Sequence, residues 1–225
     1  MEIIPGIHHV NGVRGANSFI AMSGDTVLII DTGMPGNGRK ILTYLKSLDR
    51  DPAEVGYIVL THSDIDHCGS VFELKKVMGA RVAIHEGDAR SLSGEDKLKE
   101  VKGIISPLFK VMTKLIKFHP VKPDLLLREG DEIGSFRVIY TPGHTRGSVC
   151  LYRPGEVLFA GDALRSDKRG NPQPPSKLMS VDMKQAWESV RKIAELEFNI
   201  LLPGHGSPVL QHASRAVRDL LANAS

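Results

Sequence analysis

Four short apolar runs in this 225-residue chain end in the same way, with a threonine or glycine followed by histidine or aspartate. The four ends are Thr61-His62, Gly143-His144, Gly161-Asp162 and Gly204-His205. Short apolar runs of this kind predict buried strands. In sheets covered by helices, ligands collect at the carboxyl ends of strands, and glycine lets the backbone approach a ligand closely. The pattern therefore predicts a fold in which four strand ends meet to build one site.

The first of these ends continues into the densest group of metal-type side chains, His62-x-Asp64-x-Asp66-His67. In an extended or tightly turned backbone, side chains two residues apart point to the same side. Three of the four can therefore converge, and His67 reaches in from the next position. Imidazole nitrogen and carboxylate oxygen suit zinc, iron or manganese. Taken alone, the stretch is also compatible with a polar surface loop, and the other three strand ends favour the metal site.

The segments around these motifs alternate between strand and helix patterns. Residues 17–21 and 26–30 flank a turn-forming cluster and predict a hairpin. Ser70 and Glu73 match a capping box, which predicts a helix that begins there and ends before Gly79. Further strands are predicted at 57–61, 81–85, 124–127, 132–133, 136–140, 149–152, 157–160 and 200–202, helices at 39–48, 182–196 and 211–222, and an irregular loop at 170–176.

Residues 86–123 have a different pattern, with a broad apolar face from Ile104 to Ile116 and many lysines on the other side. We interpret this segment as a helical insertion that covers the core. A substrate lid or a homodimer contact is the second interpretation, and a membrane-surface helix is the third. No other part of the chain points to a bilayer, so no membrane partner is expected.

Composition limits the class of protein. With 225 residues, 41% of them hydrophobic, and no linker-like stretch, residues 1–225 are expected to form one domain. The net charge of +3 comes without a clustered basic stripe, so no nucleic-acid partner is expected. The chain shows no signal-peptide pattern and no run long enough to span a bilayer, which predicts a soluble, cytoplasmic protein. Cys68 and Cys150 are too few for a disulfide framework and are expected to be buried.

The ordered set of motifs resembles the metallo-β-lactamase-fold hydrolases, and most of all their glyoxalase II-like and lactonase-like members. The resemblance runs from Asp31-Thr32-Gly33 to the Pro-Gly-His-Gly element at 203–206. It implies an α/β (α+β) protein, a four-layer αβ/βα sandwich with a two-metal site along one edge of its sheets. It also implies that Asp31 braces the site. The implied ligands are His62 and His144 for the first metal, Asp66, His67 and His205 for the second, and Asp162 as a bridge between them.

Asp64 departs from the family pattern, which usually has histidine at this position. A carboxylate can still ligate, and we expect Asp64 to bind the first metal. The alternative is that it orients His62 or His144 from outside the site. Two divalent ions are balanced by Asp64, Asp66, Asp162 and a bridging hydroxide, so the site is neutral and its water less acidic. The extra carboxylate also favours harder metals such as manganese or iron.

These motifs predict a metal-dependent hydrolase that cleaves an ester, thioester or lactone bond of a small-molecule substrate by means of a metal-bridging hydroxide. Asp66 is the predicted catalytic proton donor to the leaving group. Two divalent metal ions are the expected cofactors, zinc first, with iron and manganese as alternatives. An iron-dependent oxidoreductase and a phosphodiesterase or nuclease of the same fold are the alternative functions. Candidate pocket residues are His85, His119, Tyr140 and Arg165. The alternative for His85 is a structural histidine with its hydrogen bonds satisfied, and the alternative for Arg165 is a solvated loop arginine.

Overall fold

Two β-sheets dominate the computed structural model, which describes residues 1–96 and 118–224. The first sheet has seven strands that lie side by side in chain order. They are β1 (Glu2–Ile4), β2 (Ile7–His9), β3 (Phe19–Ser23), β4 (Thr26–Ile30), β5 (Val55–Val59), β6 (Arg81–His85) and β7 (Leu125–Leu127). The strands from β4 to β7 are parallel to one another, whereas β1 to β4 are antiparallel.

The second sheet has five strands in the order β14-β11-β10-β9-β8. They are β8 (Glu132–Ile133), β9 (Phe136–Tyr140), β10 (Val149–Arg153), β11 (Val157–Gly161) and β14 (Ile200–Pro203). Only β14 runs parallel to its neighbour, β11. A separate short hairpin pairs β12 (Arg165–Ser166) with β13 (Pro172–Gln173).

Helices cover the outer face of each sheet. In the described residues they are α1 (Gly38–Lys46), α2 (Ile65–Cys68), α3 (Val71–Met78), α4 (Glu86–Leu92), α5 (Met183–Ala194) and α6 (Ala213–Ala222), with a 3₁₀ turn at Pro52–Glu54. The buried residues of α1, α3 and α4 form one apolar cluster with the first sheet. Those of α5 and α6 form another with the second sheet.

The inner faces of the two sheets pack on each other and form the third apolar cluster. Phe159 of the second sheet is central to it, with ring centroids 5.4 Å from both Phe19 and Phe136. Full burial of one such side chain stabilises the fold by about 1.5–3 kcal/mol. The resulting order of layers is helix, sheet, sheet, helix, which confirms the predicted four-layer αβ/βα sandwich.

Most predicted elements are present, with ends shifted by one or two residues, but two predictions are wrong. The Ser70 hydroxyl does not cap α3, because it donates to the carbonyl of Met34 and accepts from the amide of Asn37, both at 2.8 Å. This serine therefore fixes the preceding loop instead. Part of the stretch predicted as an irregular loop pairs as β13 with β12. The helix end at Gly79 is as predicted, since this glycine has a left-handed φ of 66°.

The predicted insertion at residues 86–123 is only partly described. Its first residues form α4, which His85 caps by accepting a hydrogen bond from the amide of Gly87 at 3.0 Å. The apolar face predicted from Ile104 to Ile116 lies outside the described residues, and its covering, lid or dimer role stays a prediction. The same holds for the single domain over 1–225. Among the helices that the structure describes, none has the length and apolar character needed to cross a bilayer.

Candidate metal centre

All seven predicted ligand side chains come together at one edge of the two sheets. Their donor atoms form three groups of three, and within each group the atoms lie within 4.8 Å of one another. The first donor group is His62, Asp64 and His144, and the second donor group is Asp66, His67 and His205. The remaining group joins His62 and His67 to Asp162. The convergence of these side chains is observed. Their binding of metal stays a prediction.

Asp162 lies between the two donor groups. Its Oδ2 atom is 3.4 Å from His144 Nε2 in the first group. Its Oδ1 atom is 3.4 Å from His67 Nε2 and 3.5 Å from His205 Nε2 in the second group. Each carboxylate oxygen therefore faces a different group. This is the arrangement that a bridging ligand requires.

Asp64 approaches the ring nitrogens that point into the site. Its Oδ2 atom is 3.0 Å from His144 Nε2 and 3.6 Å from His62 Nε2. A carboxylate that oriented His62 from outside would meet Nδ1, but that nitrogen lies 3.1 Å from the Thr61 hydroxyl. Asp64 is thus among the donors rather than behind them, which supports ligation over the orienting role.

Asp31 supports the second donor group from behind. Its Oδ2 atom lies 2.7 Å from His67 Nδ1, and it also accepts from the Thr61 hydroxyl at 2.7 Å. Its Oδ1 atom accepts from the Thr61 amide at 2.8 Å. Asp31 takes a left-handed φ of 54°, a conformation that costs a non-glycine residue on the order of 1 kcal/mol. These bonds hold the other nitrogen of His67 toward Asp162, in agreement with the bracing role that the resemblance implies.

Carboxylates of the site raise the pKa values of two of its imidazoles, His67 and His205. Burial disfavours the charged form of His67, but Asp31 and Asp162 outweigh it and raise the pKa of His67 well above its usual value. Burial likewise opposes ionisation of Asp162, yet His67, His144 and His205 bring its pKa well below the usual range. Metal ligands must be deprotonated, so a cation and protons compete for these imidazoles.

The comparisons with known proteins agree with this geometry. Residues 11–205 match the family model described as the metallo-beta-lactamase superfamily. The chain belongs to this superfamily. Among relatives of this superfamily member is the probable metallo-hydrolase YflN of Bacillus subtilis (strain 168), which is 29% identical over 99% of this chain and 92% of its own. The acyl-coenzyme A thioesterase MBLAC2 of Homo sapiens is 28% identical over 66% of this chain and 58% of its own.

Solved structures carry the same fold. The metallo-beta-lactamase family protein TTHA1429 from Thermus thermophilus has a TM-score of 0.75 and 23% identity over 99% of this chain and 80% of its own. TTHA1623, solved in a di-iron-bound form, has a TM-score of 0.68 and 27% identity over 86% of this chain and 88% of its own. The fold class and family predicted from the sequence are confirmed.

The donor set of this superfamily member fits a bound cation. Among the described residues, the Nε2 atom of His62 is buried and has no hydrogen-bond partner. A buried polar atom left in this state costs about 1–3 kcal/mol, and coordination of a cation would remove that cost. Gly204 is also required here, because a Cβ atom on it would lie only 2.6 Å from both Asp162 Oδ1 and His67 Cε1.

The other candidate residues have structural contacts. His85 caps α4 and stacks on Tyr140, with ring centroids 4.2 Å apart and planes 6° apart. His119 stacks on Phe72 of α3 at 4.9 Å. The Arg165 Nε atom donates to the carbonyl of Pro174 at 3.3 Å. The contacts of His85 favour a structural role for this histidine. His119 contacts α3 in the helical layer and not the donor groups.

Both cysteines are buried thiols, as expected. Burial and the nearby carboxylates of Asp64, Asp31 and Asp66 raise the pKa of Cys68 well above its usual value. Burial raises the pKa of Cys150 to about 12. Neither thiol has the lowered pKa of a nucleophile.

Two polar residues that contact the ligand loops, Asp88 and Asn17, were not predicted from the sequence. Asp88 follows strand β6 and comes directly after Gly87, so it repeats the glycine–aspartate form of Gly161-Asp162. This signal was available. Asn17 falls within a predicted strand and carries no comparable signal, because its partners are far away in the sequence.

Proposed function

We propose that this protein is a metal-dependent hydrolase that uses two divalent metal ions to cleave an ester, thioester or lactone bond of a small molecule. The observation that carries the proposal is Asp162, whose two oxygens face two separate donor groups. The name of YflN, a probable metallo-hydrolase, supports the reaction class. The name of MBLAC2, an acyl-coenzyme A thioesterase, supports an acyl substrate.

In this proposal His62, Asp64 and His144 would hold the first metal, and Asp66, His67 and His205 would hold the second. Asp162, which faces both donor groups, would serve both metals. When bound, the metal pair supplies a Lewis acid for the carbonyl oxygen and lowers the pKa of water. Zinc is the first expectation. Iron and manganese are alternatives that the third carboxylate, Asp64, favours, and iron has further support from the di-iron-bound form of TTHA1623.

The protein's own residues orient the ligands and move the proton. Asp31 accepts a hydrogen bond from His67 Nδ1, which leaves Nε2 available for the metal. Asp66 is ionised, because His205 and His67 lower its pKa against the effect of burial. Its carboxylate would take a proton from the attacking water and pass it to the leaving group. The side chains of Asp66 and His205 are 32% and 35% exposed, whereas those of His62, His67, His144 and Asp162 are at most 8% exposed. Substrate therefore reaches the site from the side of Asp66, where the proton donor is needed.

An apolar loop beside His144 supports a substrate with an apolar group. Leu178, Met179 and Val181 are 67%, 39% and 37% exposed, and they account for three of the large apolar side chains exposed in the described residues. The Val181 amide donates to the carbonyl of His144 at 3.2 Å, which joins this loop to the first donor group. An exposed apolar cluster next to a site indicates a ligand-binding surface. In the proposal it receives the acyl chain.

A substrate panel combined with metal analysis tests the proposal. The panel contains acyl thioesters, aryl esters, lactones, β-lactams and phosphodiesters, each assayed with metal-free protein and with protein loaded with zinc, iron or manganese. We expect two equivalents of metal and metal-dependent turnover of an ester, thioester or lactone. Turnover of phosphodiesters alone would replace this proposal with the nuclease alternative. Iron with a visible absorption band and no hydrolysis would replace it with the oxidoreductase alternative.

A further inference from the structure

Asp88 joins the two loops that carry the first donor group. It lies in the first turn of α4, and its side chain is buried. Its Oδ2 atom accepts the amide of Ser63 at 2.8 Å, and its Oδ1 atom accepts the amide of Gly147 at 2.8 Å. Ser63 stands between two members of the first donor group, and Gly147 is three residues beyond the third. One buried carboxylate therefore sets the distance between these two loops.

The backbone segments around Asp88 approach each other closely. A Cβ atom on Gly147 would lie 2.5 Å from the Asp88 amide nitrogen and 2.7 Å from its Cβ. A Cβ atom on Gly87 would lie 2.8 Å from the carbonyl oxygen of Arg146. Gly87 and Gly147 thus let the start of α4 pack directly against the loop that follows His144. Such close backbone packing is typical of a position that must be held rigidly.

Asn17 fixes a ligand loop of the second donor group by hydrogen bonds, as Asp88 does for the first donor group. Its side-chain Nδ2 atom donates to the carbonyls of Pro203 and Gly206, both at 2.9 Å, and its amide donates to the carbonyl of Gly204 at 2.7 Å. These carbonyls belong to the turn that carries His205. Of the ligand candidates, His205 has the most exposed side chain, at 35%. The three hydrogen bonds from Asn17 hold the turn that carries it.

We propose that Asp88 and Asn17 are positioning residues, each of which sets one half of the metal centre: Asp88 the first donor group and Asn17 the second. The inference rests on the proposed two-metal function. Neither residue belongs to the donor groups found in the described residues. Each acts by fixing the backbone of ligand loops, so loss of either one weakens its own half of the site.

The test is titration of the metal-free protein with Co²⁺, followed by visible absorption and calorimetry. Wild type is compared with Asp88→Ala and Asn17→Ala. His144→Ala and His205→Ala give the reference spectra for damage to the first and second groups. We expect Asp88→Ala to weaken the equivalent that His144→Ala affects, by about 10–100-fold, and to leave the other unchanged. Asn17→Ala should do the converse.

Selectivity separates positioning from a general structural role. Lower overall stability would weaken both equivalents in both variants, and this result would overturn the inference, as would unchanged binding in both. Asp88→Asn keeps the side-chain volume and one acceptor oxygen, so it serves as the variant if Asp88→Ala does not fold, with a smaller loss in the same group. Wild type that binds fewer than two equivalents would refute the proposed function and the inference together. Two equivalents in wild type with unselective variants would refute the inference alone.

Discussion

Asp162 is the residue that both donor groups share. It is buried, its oxygens face imidazoles on both sides, and its pKa is held low by three of them against the opposing effect of burial. The convergence of His62, His144, Asp162 and His205 could be predicted because each follows an apolar run and a threonine or glycine. The exact contacts of Asp64 could not, since its position relative to Nδ1 and Nε2 depends on how the 62–67 loop turns.

Asp162→Asn tests the bridging role. The amide keeps the size of the side chain but removes its charge, so we expect metal-dependent hydrolysis to fall by at least about 100-fold and one metal equivalent to bind more weakly. Steady-state kinetics and metal titration measure both effects. Asp25→Asn, in the exposed turn between β3 and β4, is the matched control and should behave as wild type. Retained hydrolysis in Asp162→Asn would rule out a bridging carboxylate.

We predict that the thiols of Cys150 and Cys68 are unreactive in the folded protein. Because burial raises the pKa of both thiols, they stay protonated through neutral pH and become thiolates only at more alkaline pH, about 12 for Cys150. We expect native protein to show no reaction with a disulfide reagent at pH 8 and to show two reactive thiols after denaturation in guanidinium. Rapid reaction of one native thiol would contradict the buried placement.

At the scale of elements, the strands were predicted better than the connections. The period-two and apolar patterns of β3 to β6 and β9 to β11 are local, so the sequence indicates them directly. The capping box at Ser70 failed because its hydroxyl bonds residues 34–37, a long-range contact that no local pattern reveals. The two hydrogen bonds of Asp88 could not be predicted for the same reason, because its partners Ser63 and Gly147 come from two other loops.

We predict that the apolar loop before α5 selects substrates by the length of their acyl chain. Leu178→Ser removes its most exposed apolar side chain, so we expect kcat/KM to fall by about 10-fold for long acyl chains and little for acetyl substrates. Kinetics over a series of chain lengths measures this. Val77→Ser is the control, because Val77 is also exposed but lies in α3, on the helical layer of the other sheet. An equal fall for every chain length would show that the loop does not select the acyl group.

In the proposed function, metal binding is coupled to the folding of the whole molecule. Two sheets contribute the donor side chains, and the donors converge only when both sheets are packed together, so metal would bind the folded state and not the unfolded chain. Metal at 100 times its dissociation constant then adds about 2.7 kcal/mol per site to the free energy of unfolding. For a chain of this size that corresponds to a rise in Tm of roughly 5–10 °C per site.

Chelation tests this coupling. We expect treatment with a strong chelator to lower the Tm measured by calorimetry, and stoichiometric metal to restore it. In Asp162→Asn the difference between the two states should be smaller, because fewer ligands tie the sheets together. A Tm that does not respond to metal would mean that the site contributes nothing to the folded state.

The most direct test of the two-metal centre is anomalous X-ray diffraction from a crystal of metal-loaded protein, recorded on both sides of the absorption edge of the metal. We predict two peaks, one among His62, Asp64 and His144 and the other among Asp66, His67 and His205, with Asp162 between them. A single peak, or peaks outside these two groups, would contradict the account.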